Sequence, residues 1–101
     1  MSISMSVAGD NKTATMKISG RFDFSLHNDF RKAYKDVNIS AGQYAVDLSA
    51  TEYLDSSALG MLLLLKEHAD SQSSTVKLVG FSDEIKEILT IASFDKIFTL
   101  G

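Results

Sequence analysis

Hydrophobic and polar residues alternate at the start of the chain. Ile3, Met5 and Val7 are separated by serines, and Ala14, Met16 and Ile18 by Thr15 and Lys17. A period of two places each apolar set on one face of a strand, and Gly9-Asp10-Asn11 supplies turn residues between them, so this stretch predicts a β-hairpin. From Ser25 the period changes: Leu26, Phe30, Ala33 and Val37 fall at helical offsets, opposite Asp29, Arg31, Lys32 and Lys35, and predict a first helix with Ser25 as its N-cap. Tyr44, Val46 and Leu48 return to period two as a short strand, and Ser49-Ala50-Thr51-Glu52 then reads as a polar turn.

The next helix is expected from about Ser56 to Ala69. Its inner face carries Leu59, Leu62 and Leu63, and Leu64 and Leu65 widen that face, which predicts the most buried helix of the chain. Val76, Leu78 and Val79 give another strand, closed by Gly80. Ser82 with Asp83 and Glu84 marks a helix start by capping and by charge at the positive end of the helix dipole, with Ile85, Ile88, Leu89 and Ala92 facing inward. The tail at Phe94, Ile97, Phe98 and Leu100 is apolar enough to dock on the core, with a last strand as one form of docking. The order β-β-α-β-α-β-α plus tail implies an α/β fold: a small mixed β-sheet with helices packed mainly on one side and parallel crossovers between the later strands.

Composition narrows this picture. At 101 residues the chain holds one domain, residues 1–101, with no linker or repeat. The absence of cysteine removes disulfides and thiol chemistry, and two histidines, His27 and His68, are a poor basis for a metal site or a general base. Both histidines are expected on the solvated surface. Ten basic against thirteen acidic residues, a formal charge of −3, argue against nucleic acid, since no basic face is clustered enough to track a phosphate backbone. The longest apolar run, Met61 to Leu65, is far short of the ~20 residues that span a bilayer, and no basic start precedes a long apolar stretch. A cytoplasmic protein without direct membrane insertion is the expectation.

Candidate chemistry concentrates between Val46 and Gly60, where a buried strand leads through a loop into the first turn of the central helix. Asp55, Ser56 and Ser57 stand where backbone N–H groups lack intrahelical acceptors. One reading makes Asp55 or Ser56 a simple N-cap. The other makes a serine there a phosphoryl acceptor, since a helix N-terminus tolerates the added charge. A serine hydrolase does not fit: Asp55-Ser56-Ser57 is not a nucleophile elbow, and neither histidine is positioned as its base by any motif. No Gly-rich phosphate loop is present either. No catalytic residue, cofactor or metal is therefore expected.

The block Val46 to Gly60, with Asp55-Ser56-Ser57-x-Leu59-Gly60 as its most specific part and Gly20-Arg21-Phe22-Asp23 upstream, resembles the STAS domain of bacterial anti-sigma factor antagonists over essentially the whole chain. The resemblance implies a switch on Ser56, phosphorylated by a serine kinase of the anti-sigma type and restored by a PP2C-type phosphatase, with Ser57 as the second-choice acceptor. It further implies a partner-binding surface of Asp23, Ser25, Tyr53, Leu54, Asp55, Ser57 and Met61. Such modules govern stress responses, sporulation, motility or biofilm formation. The alternative within the family is a subunit bound constitutively to a lipid-transporter ATPase, with Ser56 serving only as a cap. One departure is Ala58, where relatives commonly carry glycine; alanine favours helix and stiffens the first turn.

Overall fold

Strand β2 organises the sheet. In the computed structural model, which describes residues 2–101, β1 (Ser2–Val7) and β2 (Thr13–Phe22) form the expected antiparallel hairpin, in register from Ser2 opposite Ser19 to Val7 opposite Ala14. The Ala8 N–H donates to the Thr13 carbonyl at 2.8 Å across the turn. Strand β3 (Gln43–Asp47) runs parallel to the first half of β2, β5 (Thr75–Val79) parallel to β3, and β6 (Thr99–Leu100) parallel to β5. The apolar tail thus docks as a last strand, and the main path is β1-β2-β3-β5-β6. The connections carry α1 (His27–Tyr34), α2 (Ser56–Asp70) and α3 (Asp83–Ile91).

Ser49 to Glu52 is not wholly a turn. Thr51–Leu54 form a further strand, β4, parallel to the end of β2. The cause lies in Gly20, whose φ of 84° is open to glycine at little cost. The register shifts between Gly20 and Arg21, so β2 leaves β3 and continues beside β4. Thr51 is buried because its hydroxyl donates to the Ile18 carbonyl at 2.8 Å. A polar residue satisfied in this way carries no strand signal in the sequence.

Alternation sets the core. Ala14, Met16 and Ile18 of β2, Tyr44 and Val46 of β3, and Val76 and Leu78 of β5 are all buried, in one cluster with Leu26 and Phe30, with Ala58, Leu62 and Leu65 of α2, and with Ile85 and Leu89 of α3. Lys17 on the opposite face is exposed. One sheet face is therefore the core face, as the alternation requires. Each fully buried leucine of this cluster contributes about 1.5–3 kcal/mol of transfer free energy. The cap of α3 is Ser82, whose hydroxyl accepts the Ile85 N–H at 3.2 Å.

Three expectations are corrected here. The first helix opens with a 3-10 turn at Phe24–Leu26 whose cap is Asp23, not Ser25, because the Asp23 carboxylate accepts the Ser25 N–H two residues on. Leu63 and Leu64 are 39% and 46% exposed, so the inner face of α2 is the narrower stripe Ala58, Met61, Leu62, Leu65 and Ala69. Five consecutive apolar residues cannot all face one side of a helix with 3.6 residues per turn. His68 is half-buried rather than solvated: its ring lies 5.0 Å from that of Tyr34 and 5.8 Å from that of Tyr44, and its Nε2 sits 2.8 Å from the Val37 carbonyl. His27 is half-buried as well, stacked on Phe24.

Candidate functional site

β2 and β4 end side by side, and the segments that leave their C-terminal ends form one tip of the molecule. The Asp55 N–H donates to the Phe22 carbonyl at 3.4 Å, tying the two strand ends together. Asp55, still extended, is the N-cap of α2, its Oδ1 accepting the Ala58 N–H at 2.9 Å. Capping is thereby assigned to Asp55.

Ser56 is free of that task. It is the first residue of α2, it is exposed, and its hydroxyl makes no hydrogen bond to any described residue. With Ala58 N–H taken by Asp55 and Leu59 N–H donating to the Asp55 carbonyl at 3.3 Å, the N–H groups of Ser56 and Ser57 are the ones without an intrahelical acceptor. A charged group on Ser56 would meet these N–H groups and the positive end of a helix of 15 residues. Ser57 is half-buried and less accessible. Ala58 is fully buried, so its methyl group packs into the core and anchors the first turn.

Asp23 stands on the neighbouring segment. Its Oδ1 accepts both the Ser25 hydroxyl, at 2.5 Å, and the Ser25 N–H, at 3.0 Å, while Arg21 Nε lies 3.6 Å from Oδ2. The Ser25 hydrogen bonds, with a smaller contribution from Arg21, hold the Asp23 carboxyl below its ordinary range. Arg21 also lies over the Tyr53 ring, 4.2 Å from its centroid, and Tyr53 is 42% exposed.

Of the expected contact residues, Asp23, Ser25, Tyr53, Asp55 and Ser57 come together at this tip. Leu54 and Met61 do not qualify: each is only 3% exposed and belongs to the core beneath. Met61 falls on the buried stripe of α2, and Leu54, the last residue of β4, is buried where its neighbour Tyr53 is exposed. Phe24 was missed. It is 67% exposed and follows Asp23 directly, an apolar ring on the segment that leaves β2. A lone phenylalanine in a loop gives no directional signal in sequence; only the 3-10 turn aims it outward.

Neither histidine is hydrogen-bonded to Ser56: His68 Nε2 lies against the Val37 carbonyl and Gln72, and His27 stacks on Phe24. Among the described residues no group of three potential metal ligands is assembled, and no helix is long and apolar enough to cross a membrane. The site as built offers an exposed, unengaged hydroxyl on Ser56, a helix N-terminus and an apolar rim.

Comparison with known proteins bears on the fold and the family. A curated STAS-domain-containing protein of Pseudomonas aeruginosa is 45% identical over 101 residues, covering all of both chains. The anti-sigma factor antagonist SpoIIAA in its unphosphorylated form superposes with a TM-score of 0.69 at 11% identity, over 95% of this chain and 97% of that one. An anti-sigma factor antagonist from Mycobacterium paratuberculosis gives 0.73 at 22% identity, over 98% and 85% of the two chains. A sulfate transporter family protein from Wolinella succinogenes gives 0.76 at 15% identity, over 91% and 74%. The family model described as "Mlab, STAS domain" matches residues 5–100, and with the full-length 45% identity this establishes that the chain belongs to the STAS domain family.

Proposed function

We propose that this protein is a phosphorylation-controlled antagonist of an anti-sigma factor, a binding module rather than an enzyme, which holds its partner when Ser56 is bare and releases it when Ser56 is phosphorylated. The carrying observation is the exposed Ser56 hydroxyl at the first position of α2, relieved of capping by Asp55. The likeness to SpoIIAA, a protein whose structure is known in both unphosphorylated and phosphorylated forms, supports the same reading. The partner is a serine kinase of the anti-sigma type, opposed by a PP2C-type phosphatase. Around Ser56 the contact surface is Phe24, Asp23, Ser25, Tyr53, Asp55 and Ser57. A negative group added there, beside Asp55, would leave a poorly paired charge inside the contact.

Incubation with candidate kinases from the same genome and ATP, followed by peptide mass measurement, tests the modification: one phosphate on Ser56 is expected, absent in Ser56→Ala. Partner affinity of the phosphorylated chain and of Ser56→Asp tests the switch. A second reading is a constitutive subunit of a transporter ATPase, for which the sulfate transporter family neighbour speaks. It calls for binding to a transporter ATPase that ignores the state of Ser56.

A further inference from the structure

A groove separates α1 from α2. Its α1 wall carries His27, Arg31, Tyr34 and Lys35, at offsets of four, seven and eight residues that align them on one helical stripe. Its α2 wall carries Leu64, Glu67 and His68, at offsets of three and four. The two stripes enclose a cavity of about 580 Å³ that opens to solvent.

The floor is ordered. Tyr34 is buried edge-on against Phe30 with centroids 5.6 Å apart, and His68 is fixed by the Val37 carbonyl. The rim is apolar at Leu64, 46% exposed, with Leu63 exposed beside it. Charge is the distinguishing feature. Arg31 and Lys35 take part in no ion pair; the pairs among the described residues are Arg21–Asp23 and Lys66–Asp70. Glu67 is the one carboxylate on the lining. A chain with a net charge of −3 therefore gathers unpaired cations around an exposed leucine.

We infer that this groove docks an acidic amphipathic helix of a partner protein, with carboxylates against Arg31 and Lys35 and an apolar side chain on Leu64. Two helices with a groove between them offer the ridges into which a third helix packs. The cations lie on exposed, flexible side chains with Glu67 opposite, which suits a row of spaced carboxylates better than one compact anion. His27 lines the groove and stacks on Phe24, so one end of the groove adjoins the Phe24 ring. The inference does not require that Ser56 be phosphorylated.

The test is a titration of the ¹⁵N-labelled full chain, monitored by NMR, with a synthetic helical peptide of about five turns, ~18 residues, bearing leucines on one face flanked by glutamates. The control peptide replaces each glutamate by lysine. Saturable shifts at Arg31, Tyr34, Lys35, Leu64 and Glu67 are expected with the acidic peptide alone. The double variant Arg31→Glu/Lys35→Glu, altered at two exposed positions, should bind at least about tenfold more weakly with its remaining spectrum intact. Absence of saturable shifts, shifts confined to other surfaces, equal binding of the lysine peptide, or unchanged binding by the double variant would each overturn the inference. None of these outcomes bears on phosphate transfer to Ser56, so the two readings fail separately.

Discussion

Phosphorylation of Ser56 should change partner affinity far more than it changes stability. In the free protein the residue is exposed, so the phosphoryl group stays hydrated. The N-terminus of α2 favours an added negative charge by about 0.3–1 kcal/mol. The Asp55 carboxylate opposes it. At a separation of about 6 Å in water each pair of unit charges costs about 0.7 kcal/mol, roughly 1.4 for a dianion, and physiological salt halves that. The terms cancel to within about 1 kcal/mol, which limits the change in Tm to about 4–8 °C for a domain of this size. In a complex that covers the tip, the same dianion would be stripped of water beside Asp55, at a cost of about 2–5 kcal/mol. Since about 1.4 kcal/mol is tenfold, Kd should rise by roughly 30-fold to a few thousandfold. Isothermal titration calorimetry of the bare and phosphorylated forms against one partner, with scanning calorimetry of each free form, measures both quantities. An unchanged Kd would refute the charge argument. A loss of Tm well beyond that range would refute it differently, by showing release through unfolding.

Replacing the helix cap by Asp55→Ala removes the acceptor for the Ala58 N–H and should cost about 1 kcal/mol, within a range of roughly 0.5–2, read as a lower urea midpoint at unchanged m-value. Leu65→Ala empties a fully buried site between α2 and the sheet and should destabilise the protein by about 2–5 kcal/mol in the same assay. Phe24→Ala should leave the melting temperature nearly unchanged, since the ring is mostly exposed, yet weaken partner binding by more than about 1 kcal/mol if the ring anchors the contact. Asp23 has a lowered carboxyl pKa, so its contribution is complete above the ordinary carboxylate range and is lost only as pH falls through the depressed value. A ¹³C-detected titration should place its midpoint below that of a random-coil aspartate, and Ser25→Ala should raise it.

Much of the architecture was legible as pattern. The hairpin at Ile3–Ile18, the cap at Ser82 and the inward faces of β5 and α3 arise from periodicity and from local hydrogen bonding, which the sequence carries directly. β4 was hidden because its identity depends on a neighbour: Thr51 is buried through the Ile18 carbonyl, thirty-three residues away in sequence. The central helix was found, but which of its leucines face inward depends on helix phase. A run of five apolar residues leaves that phase undetermined, and packing resolved it by exposing Leu63 and Leu64.

The candidate site divides in the same way. The chain alone determined that a serine would stand at the start of a central helix, because strand pattern, loop and helical period converge on Asp55-Ser56-Ser57. It also excluded thiol chemistry by composition. Only the tertiary structure decided that Asp55 caps the helix while Ser56 stays unengaged, that Leu54 and Met61 are core, and that Phe24 and an Arg21-covered Tyr53 flank the tip. The physical reason is that Asp55 and Ser56 are both competent caps in sequence, so only the geometry of the first turn chooses between them, and exposure is set by everything folded around a side chain. Neither the aim of Phe24 nor the groove between α1 and α2 exists until β2 bends at Gly20 and two helices settle on one face of the sheet.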